Sequence, residues 1–362
     1  MLQNEAFEAA KRFQTAGTVV QCEPYGHGHI ADTFLVCSDR AGQTKRYILQ
    51  RMNHNVFKNP VELMSNIERV TAYLRKRKAD DEAVMSLIPT AAGAAYLLDD
   101  NGEYWRMYDF IEHSLCLERP ETKEDFYQSA IAFGRFQHSL DGFPAEDLYE
   151  TIPDFHNTPK RYGDFLDAVR QDICGRADSV REEIAFVKAR RDFYSVLMDA
   201  NRAGKLPLRV THNDTKMNNV MLHADTRAAL CVIDLDTIMP GFSVTDFGDS
   251  IRFGASTAAE DEPDVSKVKL DLELFDIYAR GYIKGCGGTL KREEILLMPE
   301  GAKMMTVECG MRFLTDYLQG DTYFKTAYPE HNLVRCRTQL RLVSEMEQHW
   351  EELKEIVRNL AP

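Results

Sequence analysis

Positive charge is in short supply in this chain. Its 362 residues carry 44 Lys and Arg against 57 Asp and Glu, a net charge of −13. That balance argues against non-specific binding to nucleic acid or to an anionic membrane surface. Cysteine pairing is lacking too. The eight cysteines stand at 22, 37, 116, 174, 231, 286, 309 and 336, with no Cys-x-x-Cys among them. Neither a zinc site nor a disulfide framework is therefore indicated, and reduced thiols of the cytoplasm fit better. No apolar run approaches the ~20 residues needed to cross a bilayer. The first residues, Met1-Leu-Gln-Asn-Glu-Ala-Phe-Glu8, lack the basic start and apolar stretch of a signal peptide. Internal repeats, low-complexity segments and long linkers are missing as well. What is present is ample core material. Apolar residues make up 44% of the chain, and its length suggests about two domains of ~100–200 residues.

The local pattern changes character near residue 110. Residues 18–22, 33–37 and 46–52 are rich in β-branched and apolar types and read as strands. Pro24-Tyr-Gly-His-Gly-His29, between the first two, is a glycine-bearing turn. Asn59-Pro-Val-Glu62 is a helix start, with Asn as cap, Pro in the first turn and Glu three residues after the cap. Leu63, Ile67, Val70 and Leu74 follow at helical spacing. Residues 95–98 and 105–110 read as two more strands, joined by the hairpin signal Asp100-Asn-Gly102. Beyond 114 the pattern turns helical, over 126–140, 159–173, 181–200, 270–283, 308–318 and 332–359. Short strands at 208–211, 220–222 and 230–233 interrupt this series. The expected fold is α+β and bilobal. A small antiparallel-sheet lobe with one main helix spans 1–113, and a larger, mostly helical lobe spans 114–362. The hinge falls near 108–114.

The interrupting strands carry the chemistry. Thr211-His-Asn-Asp-Thr-Lys-Met-Asn-Asn219 puts Asp214, Lys216 and Asn219 into one loop. Val232-Ile-Asp-Leu-Asp236 brings a second acidic cluster shortly afterwards. Phosphoryl transfer needs this layout: an Asp to meet the attacking hydroxyl, and an Asn and a later Asp to hold the metal that neutralises phosphates. Asp214 reads as the catalytic base. Asn219 and Asp234 read as Mg²⁺ ligands, since Mg²⁺ takes hard oxygens and few protein contacts. Asp236 reads equally as a neighbour of the metal or as a surface residue. Lys216 suits a γ-phosphate contact, with a solvated loop lysine as the alternative.

A small sheet with one helix, a hinge, then a helical lobe carrying this loop is protein-kinase-like. Yet His212-Asn-Asp214 lacks the usual Arg, and the chain has no Ala-Pro-Glu. The pattern resembles instead the aminoglycoside phosphotransferase/choline kinase superfamily of small-molecule kinases. Ile233-Asp-Leu-Asp-Thr-Ile-Met-Pro-Gly241, Asp246-Phe-Gly-Asp-Ser-Ile-Arg252 and Glu308-Cys-Gly-Met-Arg-Phe-Leu-Thr-Asp-Tyr317 resemble its N-acetylhexosamine 1-kinase branch. The likeness runs along essentially the whole chain.

That resemblance implies ATP and Mg²⁺ as cofactors. It implies a sugar acceptor, N-acetylglucosamine or N-acetylgalactosamine, phosphorylated at the anomeric hydroxyl. The runner-up is a kinase for another sugar or an amino alcohol, and the alternative of another class is a regulatory pseudokinase. Gly26, His27 and Gly28 would lie over the phosphates, and the backbone of Asp109, Phe110 and Ile111 would meet adenine. Asp249, Arg252, Arg312, Asp316 and Tyr317 would join Asp214 around the sugar. Asp249 with Arg252, and Arg312 with Asp316, read equally as structural ion pairs. Asp246 takes the place of a structural aspartate. Gln50 stands where protein kinases carry a phosphate-gripping Lys. Strand alternation sends Gln50 and Arg51 to opposite faces. Without that Lys, a partner carboxylate on the first long helix, such as Glu68, loses its ion-pair rationale.

Overall fold

The structure is a computed structural model that describes residues 2–26, 31–54, 57–77 and 83–362. Its N-terminal lobe is a six-stranded antiparallel sheet. The elements are α1 (Leu2–Ala10), β1 (Thr18–Pro24), β2 (Asp32–Arg40), β3 (Gln43–Arg51), α2 (Pro60–Arg77), β4 (Leu87–Ile88), β5 (Leu97–Leu98) and β6 (Tyr104–Asp109). The spatial order is β1-β2-β3-β6-β4, with β5 added to β6. Period-2 alternation gives the sheet two different faces. Phe34, Val36, Tyr47, Leu49, Trp105 and Met107 pack on one side against Ala6, Ala9, Ala10 and Phe13. Gln50 and Arg106, directly opposed in the β3–β6 register, share the other side.

Beside the one main helix, α2, the described residues include a short helix, α1, in this lobe. The sequence hides α1 because its buried face is alanine rather than a large apolar stripe. The α2 helix starts as its cap signal indicates, with Asn59 Oδ1 accepting from Glu62 N at 3.4 Å. Asn66, fully buried on α2, donates from Nδ2 to Tyr149 O (2.8 Å) and Ile238 O (3.0 Å). That amide ties the N-terminal lobe to the segment bearing the second acidic cluster. Glu68 is exposed instead.

The helical lobe opens with β7 (Ser114–Cys116) and α3 (Lys123–Ser139), followed by α4 (Thr158–Gln171), α5 (Arg181–Lys188) and α6 (Val196–Arg202). Then come β8 (Arg209–Thr211), β9 (Val220–His223), β10 (Ala229–Val232) and β11 (Met239–Gly241). The helices α7 (Ser243–Gly254), α8 (Leu272–Gly285), α9 (Arg292–Leu296), α10 (Met298–Leu318), α11 (His331–Gln348) and α12 (Trp350–Leu360) complete it. Strand β7 joins β9 and β10 in a second small sheet, and β8 pairs with β11.

Three sequence expectations change here. The 181–200 helix breaks in two: Arg190 Nη1 takes the carbonyl of Phe186 while its Nε and Nη2 bind Glu347. The 332–359 helix breaks at His349 into α11 and α12. The 308–318 helix is the last half of the 21-residue α10. That helix crosses α7 closely. A Cβ on Gly301 would lie 2.1 Å from Val244 O, so only glycine permits the approach. Among the described residues no helix is long and apolar enough to cross a membrane.

Candidate active site

The loop after β8 is pinned from beneath by α7. Asp246 accepts from His212 N and Asn213 N, both at 2.8 Å. Asp249 Oδ2 accepts from Thr215 N at 3.0 Å. Thr215 Oγ1 donates to Asp246 O (2.6 Å), and Ser250 Oγ donates to Thr215 O (2.7 Å). Burial pushes the Asp246 carboxyl up, while His212 and the two loop N–H groups pull it down; the net direction is upward.

From above, the acidic turn holds the same loop. Asn213 adopts φ 64°, a left-handed conformation that Asn tolerates, and donates to Thr237 O at 2.8 Å. Thr237 Oγ1 returns a bond to His212 O at 2.7 Å. The buried His212 accepts from Asp214 N at Nδ1 (3.3 Å), so Nε2 carries the proton and donates to Ile233 O (2.8 Å). Every neighbour of Asp214 is thus fixed, while its own side chain stays 30% exposed.

Lys216 Nζ pairs with Asp214 Oδ1 at 2.7 Å. Burial works against that ammonium, but Asp214 and Asp249 outweigh it and raise its pKa. Asn219 Nδ2 donates to Asp214 O (2.8 Å) and Oδ2 (3.2 Å), which leaves Oδ1 as its acceptor end. Asn219 O accepts from Ile233 N at 2.9 Å and so locks the two motifs side by side. Asp234 takes the left-handed conformation, φ 60°. Its surface opens to the cleft although protein crowds around it. That crowding first, then Asp236 and Asp214, raises its pKa to about 6, against the pull of Arg106. Hard oxygens and unbalanced negative charge converge here. Asn219 Oδ1 and Asp234 therefore offer the hard oxygens that would hold Mg²⁺.

Gln50 and Arg51 part company. Arg51 Nη2 binds Asp32 Oδ2 at 2.7 Å. Gln50 accepts from Arg106 Nε at 3.0 Å and donates to Thr33 Oγ1 at 3.3 Å. Arg106 Nη1 binds Asp236 Oδ1 across the cleft, so Asp236 is no surface residue. Sequence reasoning missed Arg106 because nothing local marks it; only the β3–β6 register puts it beside Gln50.

Gly26 lies in an exposed turn at φ 72°. His27 and Gly28 lie outside the described residues. Tyr25 meets Phe110 edge-on at 6.0 Å, which brings the base of that turn to the end of β6. Asp109 N and Phe110 N already bind Ser86 O and Arg46 O, so any adenine contact from these two runs through their carbonyls. Ile111 O accepts from Ser114 Oγ at 2.7 Å.

The expected sugar contacts need correcting. Asp249 and Arg252 are both buried. Arg252 spends Nε and Nη2 on Asp249 Oδ1 and Nη1 on Glu260. They form the internal pair and brace the loop. Asp316 and Arg312 do not pair. Asp316 is buried and accepts from Thr322 N, Tyr323 N, Phe324 N and Asn332 Nδ2, which fixes the loop after α10. Tyr317 is buried beneath Arg176. Arg312 is only half-buried. It borders a cavity of about 370 Å³ with Arg161, Tyr323 and Phe324, and Asp316 lies at the edge of the same opening.

A larger cavity, about 730 Å³, opens beside Lys216, Met217 and Asn218 and extends past Phe253 to the 256–261 loop. Glu118, Glu121, Glu260 and Asp261 are matched there by Arg119, Lys123, Lys216 and Arg335, and Thr122, Ser129, Thr215, Ser250, Ser256 and Thr257 add hydroxyls. Such a lining offers many hydrogen bonds and no excess of either charge.

Known proteins share the fold of this chain. The chain matches the phosphotransferase enzyme family over residues 21–281. A microcompartment-associated aminopropanol kinase superposes with TM-score 0.63 at 15% identity, covering 97% of this chain and 98% of its own. Choline kinase from Cryptosporidium parvum Iowa II gives 0.56 at 11% identity, covering 99% and 100%. A spectinomycin phosphotransferase in complex with ADP and spectinomycin gives 0.56 at 13%, covering 95% and 98%. At these identities the likeness is one of fold. The match over most of its length makes this chain a member of the phosphotransferase enzyme family, built on the two-lobed fold of small-molecule kinases.

Proposed function

We propose that the protein transfers the γ-phosphoryl group of ATP to the anomeric hydroxyl of N-acetylglucosamine or N-acetylgalactosamine, giving the sugar 1-phosphate and ADP. The observation that carries the chemistry is Asp214: its backbone is held on both sides, and its carboxylate, poised by Lys216 and Asn219, stays 30% exposed to meet a reactant. Asp214 takes the hydroxyl proton as the sugar oxygen bonds to the γ-phosphorus. The bond from that phosphorus to the β–γ bridging oxygen breaks, and ADP leaves with the electron pair. Lys216 steadies the transferred group and Asp214 together. Asn219 and Asp234 would hold Mg²⁺, whose chemistry is neutralisation of phosphate charge. Residues 108–114 serve as the hinge between lobes 1–113 and 114–362.

The sugar assignment is supported by the N-acetylhexosamine-type strings and by the balanced, hydroxyl-rich cavity beside Lys216. A cationic acceptor such as an amino alcohol would call for an excess of carboxylates there. Arg312 is the remaining candidate contact for the sugar. A reducing cytoplasm suits a chain in which no disulfide joins any of the eight cysteines.

The test is ADP release over a panel of free sugars and amino alcohols, with the phosphate position read by NMR. N-acetylglucosamine labelled with oxygen-18 at C1 should give a 1-phosphate that keeps the label in the bridge. Phosphorylation at C6, loss of the label, or turnover of amino alcohols alone would overturn the reading.

A further inference from the structure

We propose that Arg106 supplies, from β6, the phosphate-neutralising positive charge that β3 lacks at Gln50, and that Asp236 positions it. The inference rests on the reading of the cleft as an ATP site and deepens it.

Gln50 and Arg106 are direct partners across the β3–β6 register and point to the same face of the sheet. Arg106 Nε donates to Gln50 Oε1 at 3.0 Å, which sets the guanidinium just past the Gln50 amide. The side chain is 2% exposed. A buried guanidinium is costly unless paired. Its pair is Asp236, two residues beyond Asp234, in the other lobe. The usual pair, a strand Lys with a helix Glu, is thus replaced by a strand Arg with a carboxylate of the metal turn. The exposed Glu68 and inward Asn66 on α2 agree with that exchange.

Two groups here remain unused. No described residue accepts from Arg106 Nη2, whereas Nε and Nη1 are both occupied. Tyr108 follows on the same face, its ring centroid 5.5 Å from the guanidinium, and its buried hydroxyl has no partner. A planar guanidinium with one edge held and Nη2 spare is suited to phosphate oxygens.

The decisive comparison is ATP against AMP. Binding of each is titrated calorimetrically, without acceptor, to the wild-type chain, Arg106→Met, the charge-balanced Arg106→Met/Asp236→Asn, and Gln50→Lys/Arg106→Met. Losing Arg106 should weaken ATP by ten- to a hundredfold, roughly the worth of one charge-assisted hydrogen bond. AMP should hardly change, and Lys at position 50 should recover part of the loss. A merely structural tie between lobes would weaken both nucleotides alike. In a folded variant, unchanged ATP-over-AMP preference overturns the inference. Should the variants fail to fold, guanidinium ¹⁵N NMR on the wild-type chain replaces them. The Arg106 signals must shift with ATP and stay in place with AMP, and the reverse overturns the inference too. A wild-type chain that binds no ATP sinks the proposed function instead.

Discussion

Removing the Asp246 carboxylate should unfasten the catalytic loop without touching any reactant. Three donors point at it: His212 N and Asn213 N at 2.8 Å, and Gln137 Nε2 at 3.3 Å. Asp246→Ala leaves two buried backbone N–H groups unpaired, at about 1–3 kcal/mol each. Some of that is returned, because burial already disfavours the ionised carboxyl. A net loss of about 2–5 kcal/mol follows, close to that for breaking one side of a buried ionic contact. Asp246→Asn keeps one acceptor oxygen but turns its Nδ2 against the other N–H, so about 1–3 kcal/mol is expected. The assay is urea unfolding followed by far-UV circular dichroism. With m near ~3 kcal/mol/M, the alanine variant's midpoint should fall by about 0.7–1.7 M and the asparagine variant's by about 0.3–1 M. Below the transition kcat should fall in the same order, since Asp214 is aimed by the backbone Asp246 holds. An alanine variant that loses less than ~1 kcal/mol and keeps its kcat would refute the bracing role.

Asp214→Asn should fold and bind ATP normally while kcat falls by roughly 10²-fold or more, the usual share of a general base; near-normal turnover in a folded sample rules the base out. Asp234→Ala should raise the Mg²⁺ concentration needed for half-maximal rate, and a metal titration matching wild type would remove Asp234 from the ligand set. Gly301→Ala places a Cβ 2.1 Å from Val244 O and should destabilise by about 1–3 kcal/mol in thermal melts; an unchanged melting temperature contradicts the close α7–α10 crossing. Glu308 is buried, which raises its pKa, yet His156 Nδ1 at 2.8 Å and Thr158 Oγ1 at 2.5 Å hold it below the ordinary value. Its stabilisation is therefore complete above its unfolded pKa of ~4.3 and is lost as pH falls towards the folded one, so Glu308→Gln should flatten the acid limb of the stability–pH curve below about pH 5.

Short-range signals carried most of what the sequence disclosed. The Asn59 cap, the α2 stripe and the Asp100-Asn-Gly102 hairpin are each complete within a few residues, and each forms as read. The loop from His212 to Asn219 and the acidic turn are also local motifs, and the fold brings them together through Asn219 and Ile233. What stayed hidden depends on distant pairing. Arg106 gains its meaning from Gln50, 56 positions away, and from Asp236, 130 away. Asp316 looked available until the 321–324 loop folded back over it. The two helix breaks are invisible to periodicity, because the apolar stripe resumes after Arg190 and after His349.

The polar residues of α7 have one explanation. Asp246, Asp249, Ser250 and Phe253 stand at i, i+3, i+4 and i+7, a single helix face. In an ordinary buried helix that face would be apolar. Here it meets a loop whose backbone N–H and C=O groups have no strand partner, so burial obliges each one to find a side chain. Asp246 serves positions 212 and 213; Asp249 and Ser250 serve Thr215; Phe253 ends the face 5.6 Å from Lys216 Nζ. Arg252, one residue after Ile251 on the same helix, neutralises Asp249 and anchors it to Glu260. Carboxylates in an apolar run therefore have two causes that sequence cannot separate: contact with a ligand, or custody of a loop that makes the contact. On α7 it is custody, and the residue that this custody positions is Asp214.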